Sequence, residues 1–205
     1  MSTVIVAFEI LPESAPKPEG YSRSRGNLIF DVKMNFTRKA RLFKNGHNTP
    51  DSALSTFASV VSRDRVRIAF TNVALNGLDV NAANIQNAYL QAPVSENILR
   101  YADLSLELVV LNKRALYGGK SSRSDFWCRL RTCITFLNFE SCQGDPEVWR
   151  QKAAKDNGKK YWKYNMLLYV DYALCCSNKA EVIARNQLCK YFELQHYFQL
   201  IIALN

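Results

Sequence analysis

Met166-Leu167-Leu168-Tyr169-Val170-Asp171-Tyr172-Ala173-Leu174-Cys175-Cys176 holds two apolar runs broken at a single acid. Leu167 to Val170 is continuous and apolar, Asp171 interrupts it, and Ala173 to Cys176 resumes it. Two buried strands with the acid at their turn predict a tight hairpin. Working outward, Ile183, Leu188 and Phe192 predict a helix from about Lys179 to Glu193, and Phe126, Leu130, Ile134 and Leu137 predict one from about Ser124. Ser62 is a good N-cap and Gly77 a good C′ residue. Between them Val66, Phe70 and Val73 recur at helical spacing, which predicts a helix over Arg63–Leu75. Leu78-Asp79-Val80 is β-like, and Ala82 to Leu90 reads as a strand end running into a turn of helix. Phe30, Val32, Met34 and Phe36 alternate with polar residues, as in a half-buried strand, and Lys39 to Phe43 could return antiparallel before the Asn45-Gly46 turn. Residues 12 to 27, rich in Pro, Gly and Ser, read as a loop or linker. Strands and helices mix without strict alternation. That favours an α+β class, a mostly antiparallel sheet with helices on one face.

The chain has 205 residues, 48% of them hydrophobic and 22% charged, which excludes a disordered or collagen-like class. Its net charge of +9 suits a polyanionic partner. No apolar run approaches the roughly 18 residues of a membrane span, so no membrane partner is expected. Glu9 interrupts the apolar start, which makes Met1–Leu11 a poor signal peptide and an intracellular location the expectation. The six cysteines form no C-x-x-C pair and only two histidines accompany them, so reduced thiols are expected rather than a zinc site.

Asp171 sits where a rigid sheet could present an acid to a site, although Asp is also a common turn residue. Lys33, Arg38, Lys39, Arg41 and Lys44 form a basic stretch without an acid. On one strand Lys39 and Arg41 would share a face, either to hold phosphates or simply to meet solvent. Lys155, Lys159, Lys160 and Lys163 surround Asn157-Gly158 and read as a solvated hairpin tip. His47 and His196 have no sequence-adjacent partners, and no phosphate-binding Gly loop is present.

Several of these segments fall together in order. Val32-Lys33-Met34 through Arg38-Lys39-Ala40-Arg41-Leu42, then Thr56 to Val60, resemble the fingers of copia-type retrotransposon reverse transcriptases. Leu78 to Leu90 resembles that family's first catalytic motif. Arg114 to Lys120 resembles its L-Y-G-L-K motif, Asp145 to Trp149 its D-P-D-V-W segment, and Tyr169-Val170-Asp171-Tyr172 its Y-V-D-D. The resemblance spans residues 30–193 and leaves 1–29 as an N-terminal segment and linker and 194–205 as a non-matching tail. It implies the fingers and palm of a right-hand polymerase, with the thumb absent, as in a decayed or truncated copy. It implies RNA- or DNA-templated synthesis on a primer–template from deoxynucleoside triphosphates, by two-metal transfer with Mg²⁺.

The family's three catalytic acids align with Asn84, Asp171 and Tyr172, so only Asp171 survives as a carboxylate. Mg²⁺ binding is therefore expected to be poor and the polymerase impaired or dead. Asp79, five residues before Asn84, is expected to be out of place as a substitute. Arg41 and Lys39 align where fingers grip a triphosphate, and a guanidinium matches phosphate by its fork geometry. Tyr89 aligns with the aromatic platform under the incoming sugar, with a core tyrosine as the alternative. Lys120 lies in the L-Y-G-L-K match, where Gly119 replaces the family's Leu. The competing expectation is a non-catalytic, basic nucleic-acid-binding remnant.

Overall fold

The computed structural model describes residues 6–200 except 13, 17, 50–55, 96–97, 104–106, 155–157 and 181–185. In chain order the elements are β1 (Phe8–Ile10), β2 (Ser22–Val32), β3 (Arg38–Lys44), α1 (Arg63–Asn76), β4 (Asp79–Ile85), β5 (Ile98–Asp103), β6 (Glu107–Asn112), α2 (Ser122–Phe136), β7 (Glu140–Cys142), β8 (Asp145–Ala154), β9 (Lys160–Tyr169), β10 (Tyr172–Ser177) and β11 (Leu194–Leu200). They divide into two compact units, Met1–Ala58 with Asn87–Cys128, and Ser59–Gln86 with Arg129–Asn205.

The first unit is built on a five-stranded sheet in the order β1-β6-β5-β2-β3, antiparallel except where β2 runs parallel to β5. The expected return of β3 on β2 is present, with Asp31 opposite Lys39 and Ile29 opposite Arg41. Two expectations are corrected here. The loop foreseen over 12–27 ends at Tyr21, because Ser22 already begins β2. The strand foreseen through Phe36 stops at Val32, where the chain turns with the Lys33 N–H donating to the Thr37 carbonyl at 3.0 Å and Phe36 at φ +59°. Phe30, Val32, Met34 and Phe36 are exposed rather than half-buried. Alternation reports a strand's period, but burial needs a second layer.

The second unit is built on a six-stranded antiparallel sheet, β11-β4-β10-β9-β8-β7. α1 matches its sequence signals. The Ser62 side chain accepts from the Arg65 N–H at 3.3 Å, and Gly77 leaves the helix at φ +58°. Its Val73, with Val66, Ala69 and Phe70, packs on Val80, Leu167, Leu174 and Cys176. Alternate residues of β8 look to opposite faces of this sheet. Val148 joins the α1 cluster, while Arg131 of α2 reaches Glu147 and Trp149 on the other side. The expected arrangement of helices on one face is therefore corrected: each face of the six-stranded sheet carries a helix. Strands buried on both sides read as continuous apolar runs, which is the pattern of Met166 to Leu168.

The helix foreseen over 179–193 is seen in part: Ala180 is α-helical and Asn186–Gln187 π-helical, and helical structure stops short of Glu193. Residues 181–185, including Ile183, lie outside the described residues. Leu188–Lys190 forms one 3₁₀ turn, with Leu188 and Phe192 buried as expected. The tip residues Lys155 and Asn157 lie outside the described residues too, although β8 and β9 pair as a hairpin around them. No described helix is long and apolar enough to cross a membrane.

All six cysteines are free thiols. Burial pushes the Cys176 thiol from 9.0 up to about 12, and burial with its neighbour Cys176 pushes Cys175 up as well. An unfolded thiol ionises first, so their contribution to stability is intact below pH 9.0 and lost as pH rises towards about 12. In that window each thiol should lower unfolding free energy by about 1.4 kcal/mol per pH unit. Urea unfolding from pH 8 to 11 under reducing conditions checks this. The slope should flatten in the Cys175→Ala/Cys176→Ala variant, and an unchanged slope would refute the assignment.

Candidate functional site

The hairpin read from the sequence forms between β9 and β10, with Tyr169 opposite Tyr172 and a two-residue turn of Val170 and Asp171. Val170 has φ +55°, a conformation that a β-branched residue rarely adopts. Asp171 keeps a negative φ. Positive φ at the first turn position alone is the sign pattern of a type II′ turn, whose twist suits a hairpin. Such strain persists only where surrounding structure over-determines it. Here the Ile85 N–H donates to the Asp171 carbonyl at 2.9 Å, tying the turn to β4.

That tie brings the three aligned positions together. Asn84 lies directly opposite Tyr172 in the β4–β10 ladder, so both side chains leave the same sheet face, beside the Asp171 turn. Asn84 and Asp171 are half-buried and Tyr172 is exposed. The donors gathered here are one carboxylate, one amide oxygen and one phenol. Among the described residues, no three His, Cys, Asp or Glu side chains cluster so as to hold a metal ion. Asp79 is no substitute: it pairs with Ser177 at the far end of β4, about 17 Å from Asn84 by strand rise, and accepts from the Gln199 amide at 3.3 Å.

The remaining site residues belong to the first unit. Lys39 and Arg41 share one face of β3, as their spacing requires. Arg41 is exposed, and Lys39 lines an open cavity of about 600 Å³ with Phe30, Asp31, Val32, Arg38 and Ala40. Lys44, counted in the same basic stretch, falls on the opposite face and is buried. Tyr89 sits in a 3₁₀ turn, Ala88–Gln91, half-buried, with its ring 4.8 Å from that of Tyr117 and 6.1 Å from that of Phe126. Lys120 donates to the Thr49 carbonyl at 2.7 Å. Gly119, standing where the resemblance has Leu, lies close to Ser122: a Cβ there would meet the Ser122 Oγ at 2.3 Å, so that hydroxyl would have to turn away.

The sequence reading missed how Asp145 to Trp149 works. Asp145 accepts from the Ser62 N–H at 3.1 Å through one oxygen and from the Glu147 N–H at 3.0 Å through the other. Glu147 is 0% exposed. It accepts from the Ser59 hydroxyl at 2.7 Å and pairs with Arg131 at 3.0 Å. The Arg131 guanidinium also lies 5.0 Å from the centre of the Trp149 ring. An acid, a proline and an acid before an aromatic was the available signal, but its meaning depends on residues far away in sequence.

No protein-family model matches the chain, and no curated protein sequence does. Its fold is similar to that of solved structures, two of them telomerases. Telomerase from Candida albicans, in complex with a TWJ fragment of telomeric RNA, matches with a TM-score of 0.52 at 9% identity, covering 97% of this chain and 44% of that one. Apo telomerase from Candida tropicalis, truncated from its C-terminal domain, matches with a TM-score of 0.50 at 10% identity, covering 95% and 52%. The chain thus spans about half the length of these neighbours. At such identity the likeness is one of fold alone.

Proposed function

We propose that the chain is the fingers and palm of a copia-type reverse transcriptase by descent, with nucleotidyl transfer silenced. The polymerase-like fold supports the broad relationship, and the ordered motif matches support the copia assignment. One observation carries the loss of activity. Asn84, Asp171 and Tyr172 come together on β4 and the β9–β10 turn, and only one of them bears charge. Two-metal transfer needs clustered carboxylates to hold two dications against the attacking and leaving oxygens. A neutral amide adds a ligand without charge, and a phenol brings one oxygen on a bulky ring where the chemistry calls for a carboxylate. This donor set does not suit two Mg²⁺ ions, so no step through them is derived.

A second reading keeps nucleic-acid binding without chemistry. Its support is the net charge of +9 and the exposed Arg41 beside Lys39 on β3. In the first reading the partner is a primer–template, and in the second it is nucleic acid more broadly. Lys39, Arg41, Tyr89 and Lys120 are the proposed nucleotide contacts in the first.

Primer extension on an RNA template with Mg²⁺ tests the proposal. The native chain is expected to be silent and the Asn84→Asp/Tyr172→Asp variant to extend the primer. Extension by the native chain, lost on Asp171→Ala, would overturn the silencing. Silence from both would show that the two missing carboxylates are not the sole cause.

A further inference from the structure

The substitution that removes charge from the hairpin also supplies a ring. Tyr172 faces Tyr169 directly across the turn, so both rings leave the same sheet face from Cβ atoms about 4.5–5.5 Å apart. Tyr172 is 41% exposed and Tyr169 54%, although the next pair along the ladder, Leu168 and Ala173, is fully buried. Asn84, opposite Tyr172 on β4, adds an amide with two donors and an acceptor. Apart from Asp171 in the turn, these residues carry no charge.

Adjacent exposed rings on a sheet, with an amide beside them, have the chemistry that receives unpaired bases. Every base has a π-face, and stacking tolerates any sequence. A base paired in a duplex is already stacked and offers its edges elsewhere. The net charge of +9 supplies the long-range attraction to phosphate. We infer that the tip of the β9–β10 hairpin binds single-stranded nucleic acid, stacking bases on Tyr169 and Tyr172 while Asn84 hydrogen-bonds a base edge. This rests on the nucleic-acid-binding part of the proposed function and is independent of whether catalysis is lost.

The test is fluorescence anisotropy of the full chain with a labelled oligouridine strand, and with the same strand annealed to its complement, over a range of salt. The native chain should prefer the single strand. Tyr169→Ala/Tyr172→Ala should weaken single-strand binding by about tenfold or more, since each stacked base accounts for about 5- to 150-fold. The slope of log affinity against log salt should not change, because no phosphate contact is lost. Lys39→Ala/Arg41→Ala should instead make that slope shallower. Tyr169→Phe/Tyr172→Phe should bind within about twofold of native, and ultraviolet cross-linking of the native complex should map to Tyr169 or Tyr172. Both rings are exposed, so their removal empties no core, and circular dichroism checks that the fold persists.

An Ala pair that binds like the native chain, a Phe pair as damaged as the Ala pair, or equal affinity for duplex would each overturn the inference. If the Ala pair binds normally while Lys39→Ala/Arg41→Ala fails, nucleic-acid binding stands and the stacking site falls. If the native chain binds no nucleic acid, both fall.

Discussion

Glu147→Ala is expected to destabilise the second unit by about 3–5 kcal/mol, the usual loss when one partner of a buried ion pair is removed. Glu147 is fully enclosed, and its Oε1 is shared between the Ser59 hydroxyl and the Arg131 guanidinium. Truncation leaves that guanidinium, only 26% exposed, without its carboxylate. It also releases Ser59, in the segment that leads into α1. Glu147→Gln keeps an oxygen for Ser59 but loses the charge, so a smaller loss of about 1–3 kcal/mol is expected. A Glu147→Leu/Arg131→Met variant should recover much of the stability, because two apolar groups need no desolvation. Urea unfolding followed by tryptophan emission ranks the variants. An alanine variant within 1 kcal/mol of native would show that the pair is incidental to the fold.

Gly118→Ala is expected to cost about 2–5 kcal/mol in the first unit, combining left-handed backbone strain with a steric clash. Gly118 has φ +83°, and a Cβ there would lie 2.2 Å from the Lys44 carbonyl oxygen. That carbonyl belongs to backbone already pinned by the Lys44 N–H, which donates to the Tyr117 carbonyl at 2.7 Å. Gly20→Ala is the control. It has φ +77° but open space around the added carbon, so only about 1–2 kcal/mol of strain is expected. Equal losses at the two positions would mean that the close approach of strand and turn contributes nothing.

Local signals carried most of what could be read from sequence. α1 was legible because its cap, period and terminal glycine all lie within one segment, and the β9–β10 hairpin because its two strands are contiguous. β5 and β6 were not anticipated. β5 pairs in parallel with β2, a partner some seventy-five residues earlier, and nothing in six residues announces such a neighbour. The exposed Phe30, Val32, Met34 and Phe36 show the converse, a pattern whose covering layer had been assumed. At the site, Asn84 and Tyr172 were named from matched motifs, and the ladder sets them opposite each other. The enclosed Glu147 was invisible because its partners lie sixteen and eighty-eight residues away.

β11 lies outside every recognised motif, yet it flanks β4 along the side opposite β10. Val80, Ala82, Ala83 and Ile85 of β4 are almost wholly buried, so this is the strand least suited to form a sheet margin. A version of the chain cut at Glu193 would bare a row of β4 peptide groups next to apolar side chains, an adhesive border for any neighbouring strand. The last described strand of the chain is therefore the one that keeps β4 from becoming a seed for self-association.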